Sequence, residues 1–588
     1  MNKFILSTED IMLRSLSNEE TFKTKDFSII NCYDDHDMLP RNEKVKIIFN
    51  GNIYNENKLK EKYRVDDIVS TNKFLLHLYN INGETFLNEL EGCFCILIYD
   101  EIENTVFGGT DIFGSCAMYY LYNEKCFSVS NLVNMIINYT SYKFKVNNTR
   151  VSNFFTFGFM PEDETLFSEI KKVTPGTYFV YKNGKLRFKK YNKLTLIPDD
   201  TMTLEIASTK LRSAIKESVF DHVYDSEVGS FLSGGIDSSY LVKETSLIKT
   251  LKTFSAGYNE NKYNEITSAK EFSNNLGLEN YEKIITSEEY FSNTKNIINF
   301  LEEPLADASL FSFYFITKYA KEYVDVCLSG EAADEFFGGY HSYQDILKIE
   351  SYRKKVPRFL RSSLAFLATH LPNFKGRDFL IRASIPLNER FVSCSNRLFS
   401  PKELQKLLVH EYLNDDSASI IKKYTNKSDL DEASKMLQVD INLWFINDIM
   451  LIGNKFGLAN NLDIRMPFLD RRVWEVARRI PSVYKITKET TKLVLREASS
   501  DVLDYEMVHK RKKGFPVPIR EWIKEEENYK QIYSSFNSDI AKKYFNRDYI
   551  NNLLVKHKNG RQDNFTKIWS IYVFILWYEN FSIEGDTL

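Results

Sequence analysis

The sequence carries no large excess of charge of either sign. Over 588 residues the formal net charge is −3, and Lys/Arg and Asp/Glu are interspersed rather than gathered in blocks. That argues against a nucleic-acid-binding face. There is no long apolar run either. The longest, residues 571–578, falls far short of the roughly 20 residues that cross a bilayer and is expected to be a buried C-terminal helix. The opening MNKFILSTED lacks the apolar core of about 7–15 residues and the small-residue cleavage site of a secretory signal. No membrane partner and a cytoplasmic location are therefore expected. The seven cysteines are odd in number and show no CxxC spacing, which argues against both a disulfide framework and a zinc site and points to a reducing compartment. Cys93 and Cys95 alternate within an apolar run, as two strand thiols on one side of a sheet would. No internal repeat or low-complexity tract is present.

What is present is a chain several times the usual 100–200 residues of a domain, 43% hydrophobic and 27% charged, as expected of a multidomain globular enzyme. Residues 1 to about 195 are strand-rich, with β-prone runs at 45–49, 93–99, 118–122 and 178–181 and a helical pattern at 73–79. This predicts an α+β unit with stacked sheets over 1–195. After a loose polar stretch around Pro198, the order becomes helix (206–219), strand (228–232), Gly-rich loop, helix. Further strands at 253–256 and 324–328 alternate with helices, which predicts a parallel α/β sheet in a second unit, 200–588, mostly helical beyond about 345.

Leu232 leads into Ser233-Gly234-Gly235-Ile236-Asp237-Ser238-Ser239, a strand–loop–helix turn that sets backbone N–H groups and a positive helix terminus where a phosphate would sit. Glycines at such a turn often serve geometry alone; the whole heptad in this context points to nucleotide. It lacks the G-x-x-x-x-G-K-[ST] spacing of loops that grip β/γ-phosphates, which points away from kinases and motor ATPases. About ninety residues on, a second strand is followed by Ser329-Gly330-Glu331-Ala332-Ala333-Asp334-Glu335, which places carboxylates at the sheet edge where ligands bind. Asp237 and Asp334 could together hold Mg²⁺ against pyrophosphate oxygens. The basic stretch Lys510-Arg511-Lys512-Lys513-Gly514-Phe515-Pro516 would by itself be a solvated charge run.

Taken in order, these motifs resemble the asparagine synthetase family, class B, over nearly the whole chain. SGGIDSS is similar to its ATP loop, Thr253 to Gly257 to its adenine-side strand, Glu303-Pro304 with Asp307 to its E-P-x-x-D segment, and SGEAADEFFGGY to its second nucleotide motif. Residues 463–470, DIRMPFLD, resemble the family's E-x-R-x-P-F-L-D run, with Asp463 where Glu is usual. The resemblance implies an ATP-pyrophosphatase-like parallel sheet with a helical extension. It also implies a two-step reaction, in which a carboxylate attacks the α-phosphate of ATP, releasing pyrophosphate, and an amine then displaces AMP. By motif position Leu232, Ser233, Gly234, Gly235, Asp237, Ser238, Ser239, Ala256, Ser329 and Gly330 would contact ATP, with Mg²⁺ on Asp237 and Asp334. Lys512 matches the family's catalytic lysine, a fixed positive charge for the developing phosphate charge. Glu331 falls where the family takes a proton from the attacking amine, and Lys455 is a secondary candidate on the phosphate side.

The N-terminal unit is similar to the family's Ntn-type αββα glutaminase, through Asn50-Gly51-Asn52-Ile53-Tyr54-Asn55, Leu75-Leu76-His77-Leu78-Tyr79 and Leu90-Glu91-Gly92-Cys93-Phe94. Such a glutaminase uses a cysteine at position 2 freed by removal of Met1, with its own α-amine activating the thiol; position 2 is Asn2. The family's S-D-x-E reads Ser70-Thr71-Asn72-Lys73. The expectation is a retained domain without glutamine hydrolysis, so that the nucleophile is free ammonia or an amine carried by the substrate. The favoured function is a natural-product amide ligase resembling β-lactam synthetases or lasso-peptide macrocyclases. The alternatives are asparagine synthesis from aspartate with ammonia or glutamine, and a non-catalytic scaffold. A homodimer is the assembly to test for.

Overall fold

The computed structural model describes residues 3–9, 19–24, 26–32, 44–140, 145–224, 227–371, 374–391, 393, 397–414, 416–426, 429–511, 514 and 516–581. Position 2, Lys512 and Cys394 lie outside them.

The N-terminal half builds two stacked sheets. One has six strands in the spatial order Glu19–Lys23, Ser28–Cys32, Lys3–Ser7, Phe127–Ser130, Tyr119–Tyr122 and Ile170–Lys172. The other has five, Lys185–Lys190, Thr177–Lys182, Thr105–Thr110, Gly92–Asp100 and Val45–Ile53, all antiparallel. The strand Gly92–Asp100 shows why its sequence is apolar throughout. Cys95, Leu97 and Tyr99 enter the core between the sheets, while Phe94, Ile96 and Ile98 enter a second core beneath helix Thr71–Asn82. A strand buried on both faces cannot alternate polar and apolar residues. Helix Val133–Tyr139 packs on the outer face of the six-stranded sheet, which completes the αββα layering.

The second half centres on a five-stranded, fully parallel sheet ordered Asn280–Ile285, Lys252–Tyr258, Val228–Phe231, Val326–Leu328, Asp463–Arg465. The expected strands are present. The edge strand Asp463–Arg465 is an addition, three residues inside the DIRMPFLD motif and too short to show a period of two. Strand order reverses between Val228–Phe231 and Val326–Leu328. Their carboxyl ends diverge there and leave the crevice in which open α/β sheets bind ligands. Beyond residue 340, every other regular element among the described residues is helical. It closes with Phe565–Phe581, whose Trp569, Tyr572 and Trp577 are fully buried, as its apolar run predicts.

Candidate active site

The two turns that leave the diverging strands, together with later segments, enclose a cavity of about 390 Å³. Leu232 to Ser238, Ala256, Ser329, Gly330, Glu331 and Asp334 line it, so eleven of the residues expected from motif position meet in one place. Ser239 does not line it; its hydroxyl is fully buried one step into the helix Ile236–Ser246. Lys510, Arg511 and Gly514 also face the cavity, which brings the flanks of the basic stretch to it, although Lys512 itself is outside the described residues.

Local chemistry shapes the loop. Gly234 has φ of 69° and its missing Cβ would sit 2.8 Å from Ser268 Oγ, so both conformation and space require glycine. The Ser255 hydroxyl donates to the Leu232 carbonyl at 2.7 Å and ties the turn to the neighbouring strand. Ser233 N donates to Ser238 Oγ at 3.2 Å and closes it from within. Lys510 Nζ donates to the Gly234 carbonyl at 2.7 Å. On the facing turn, Ala332 holds φ of 76°, a conformation unfavourable for a side-chain-bearing residue and concentrated at functional sites, immediately after Glu331.

The centre is Lys492, which the sequence reading missed. Its side chain is 2% exposed, and Nζ lies 2.5 Å from Asp237 Oδ2 and 2.6 Å from Asp334 Oδ1. Burial pulls its ammonium below the ordinary lysine range, against the pull of Asp237 in the other direction. A Cβ at Gly339 would lie 1.6 Å from Asp334 Oδ1 and 2.2 Å from Lys492 Cε, so the second motif's final glycine pair makes room for this bridge. No signal in the sequence singles it out: Lys492 opens KLVLRE close to Lys485, Lys488 and Arg496, and nothing local distinguishes it from a surface lysine.

The two aspartates expected to hold Mg²⁺ thus have an ammonium between them. Among the described residues no group of three or more His, Cys, Asp or Glu side chains is arranged to hold a metal alone. Mg²⁺ commonly binds through one or two carboxylates with phosphate oxygens completing the shell. Asp237 fits that role, because its Oδ1 is buried and accepts no hydrogen bond from the described residues.

One wall of the cavity is apolar. Tyr340, Trp444, Ile449 and Ile452 line it, the last three in or beside two π-helical turns, Phe445–Ile449 and Ile452–Phe456, a distortion frequent at functional sites. Asp448, next to Ile449, does not line the cavity; it is fully buried, and among the described residues neither of its carboxylate oxygens has a hydrogen-bond partner. Burial, then the nearby Asp307, Glu335 and Glu331, push it well above the carboxylate range. Glu335 is pushed up to about 8 by burial, with the Tyr340 hydroxyl donating to its Oε1 at 2.5 Å.

Lys455 does not line the cavity. It is buried against Glu302 and over the Tyr119 ring, 4.7 Å from its centroid. Glu302 in turn accepts from the Val133 and Asn134 amides at 3.0 and 2.7 Å, and Glu303 pairs with Lys172 at 3.1 Å. These buried ions join the N-terminal sandwich to the parallel-sheet half. A second joint lies at Asn52, whose amide donates to both oxygens of Asp463 at 3.2 and 3.3 Å, beside Tyr54, whose ring lies 3.8 Å from that of His222 at a tilt of 31°. Cys93, near Tyr54, is half-buried, and desolvation pushes its thiol up to about 12.

Residues 210–579 match the asparagine synthase family, and residues 19–192 match the glutamine amidotransferase domain. A Bacillus subtilis protein named asparagine synthetase [glutamine-hydrolyzing] 1 is 35% identical over 90% of this chain and 85% of its own length. A putative asparagine synthetase [glutamine-hydrolyzing] of Mycobacterium tuberculosis is 27% identical over 92% and 85%. The human asparagine synthetase [glutamine-hydrolyzing] is 25% identical over 54% of this chain and 59% of its own. The chain belongs to the asparagine synthase family, and with it to the ATP-dependent ligases that form C–N bonds.

Proposed function

We propose that the cavity activates a carboxylate with ATP, releasing pyrophosphate, and presents the resulting acyl-adenylate to an amine. The observation that carries this is the bridge Asp237–Lys492–Asp334 set between the two nucleotide turns at the switch point of the sheet. The loop amides from Ser233 to Ser238 would receive phosphate oxygens, with the nucleobase against Leu232 and Ala256. Lys492 would offset negative charge gathering on the pyrophosphate, and Lys512 would serve the phosphate or tetrahedral oxygen from the basic loop. Preorganised cations of this kind act most strongly in a site shielded from water. Glu331, on the cavity wall, would take the proton of the attacking amine. Mg²⁺, bound through Asp237 and Asp334 with phosphate oxygens, would supply further charge neutralisation.

The further carboxylates that line the cavity, Glu265, Asp307 and Glu331, favour an acyl substrate that also bears an ammonium group. Aspartate and larger amino acids both meet that description. The loss of the expected glutaminase residues at Asn2, Thr71 and Lys73 favours an amine supplied without glutamine, in a natural-product amide ligase. The names of the relatives favour the second reading, asparagine synthesis. In both, residues 1–195 act as a retained scaffold and 200–588 as the ligase, in a reducing cytoplasm for which the free thiols speak.

ATP–pyrophosphate exchange across a panel of amino-group-bearing acids tests the proposal. Exchange is expected with the correct acid and absent in Asp237→Ala; exchange that persisted in that variant would overturn the mechanism.

A further inference from the structure

The helix Arg358–His370 is turned inside out. It packs on helix Arg377–Ser384 through two small residues, Ala365 and Ala368, the only side chains it buries. At 100° per residue, these alanines mark the inner face, and the opposite face carries the bulk of the apolar surface. There Phe359, Leu360, Leu364, Phe366, Leu367 and Leu371 are 40–69% exposed, and Phe374 just beyond is also exposed. Single exposed apolar residues are ordinary, but a contiguous helical face of them marks an interaction surface.

The surrounding charge says what kind. Residues 351–377 hold seven lysines and arginines and no aspartate or glutamate, in a protein whose overall formal charge is −3. Two of the seven face inward and pin the helix pair: Arg361 donates to the Ala383 carbonyl and Arg377 to the Ala368 carbonyl. Lys354, Lys355 and Arg358 at one end of the apolar face, and Lys375 at the other, are exposed. A second copy of this chain, meeting the face through a two-fold axis, would bring two such basic rims together, which disfavours self-association. A Phe/Leu face with cations at both ends is the layout of a helix lying in the plane of an anionic lipid surface.

We propose that the face of Arg358–His370 docks on an anionic bilayer, with its aromatic and aliphatic side chains at the acyl boundary and the lysines and Arg358 among the headgroups. No helix among the described residues is long and apolar enough to cross a membrane, so this is attachment in the surface plane. The expectation of no membrane partner rested on the absence of a spanning run, and that absence does not bear on a helix lying flat. The preceding 15-residue helix, His341–Lys355, begins beside the cavity at Tyr340 and spans about 22 Å. The docked face would thus stand one helix length from the ligase site.

Co-sedimentation of the full chain with vesicles tests this directly. The protein should pellet with mixed phosphatidylcholine–phosphatidylglycerol vesicles, at least about tenfold more strongly than with pure phosphatidylcholine, and lose most of that binding in high salt. The triple variant Phe359→Ser/Phe366→Ser/Leu367→Ser should lose binding by more than about tenfold while keeping the wild-type urea midpoint, because these side chains are already solvent-exposed. Lys354→Glu/Lys355→Glu should weaken binding to the mixed vesicles only. Wild-type-like binding by the triple variant would overturn the proposal. So would the absence of vesicle binding together with self-association, or with capture of an acidic protein, that the triple variant abolishes.

Discussion

In the parallel-sheet half the motif residues look into open space, whereas in the N-terminal sandwich the corresponding residues are tied to one another and to the neighbouring half. Ser233 to Ser238, Ser329, Gly330 and Glu331 share a cavity of about 390 Å³. Asn52, in the motif similar to N-G-E-I-Y-N, spends its amide on Asp463, and Tyr54 packs against His222, which burial pulls down to about 4 and so keeps neutral. Both halves match their family over most of their length, so sequence similarity alone gives them equal standing. Packing separates them. A motif can survive because it binds a ligand or because it holds two bodies together, and hydrogen-bond partners distinguish the cases.

The largest expected effect lies at the bridge in the open half. Lys492→Ala would leave Asp237 and Asp334 facing each other with no cation between them, and pyrophosphate exchange should fall about 10²–10³-fold. Lys492→Arg should recover part of it, since charge rather than shape is what the two carboxylates require. An activity loss under about threefold in the alanine variant would move the phosphate-side charge elsewhere, to Lys512 or Lys510.

At the junction, Lys455→Met should destabilise the protein by about 3–5 kcal/mol, read from urea unfolding, because Glu302 is left charged and buried. The paired change Lys455→Met/Glu302→Gln should cost less than the single one, since no uncompensated charge remains. An effect on exchange rate without one on stability would return Lys455 to the phosphate side.

Much of the open half was legible in the sequence because phosphate recognition is local: a strand, two glycines and a helix start lie within a few residues of each other. The stacked sheets of the first unit and the order of α and β segments in the second were readable from periodicity, while the αββα layering was implied by the family resemblance alone. Lys492 and Trp444 were not, because each reaches the cavity from a part of the chain far from the motifs and neither sits in a pattern that differs from an ordinary helix. Lys455 illustrates the converse. A lysine near motif residues in sequence proved to be a buried partner of Glu302, and only the three-dimensional arrangement could show that the acid facing it comes from the turn before Pro304. The sequence marked the region beyond about residue 345 only as mostly helical; which side of Arg358–His370 is inward shows in its two buried alanines.

A pH effect comes next in size. Glu335 is raised to about 8, so between about pH 4.5 and 8 the folded protein holds a proton there that the unfolded chain has lost. Stability from this group is therefore complete below about pH 4.5 and disappears as the pH rises through about 8. Glu335→Gln, which mimics the protonated side chain, should flatten the fall in thermal midpoint across that interval. An unchanged slope would mean that another buried acid, Asp448 or Glu303, governs it.

The smallest effect tests the closed half. Asn52→Ala removes two hydrogen bonds to Asp463 and should cost about 1 kcal/mol in unfolding free energy. Asn52→Glu restores the acid of the N-G-E-I-Y-N motif but sets a carboxylate against Asp463. If position 52 serves the joint between the halves, the glutamate variant must be less stable than the alanine one, since it adds like-charge repulsion to the same lost bonds. If position 52 instead still faces a glutamine site, the glutamate variant should be tolerated and should increase glutamine-supported turnover. The order of the two variants in a single urea titration therefore decides whether this motif is retained for binding or for docking.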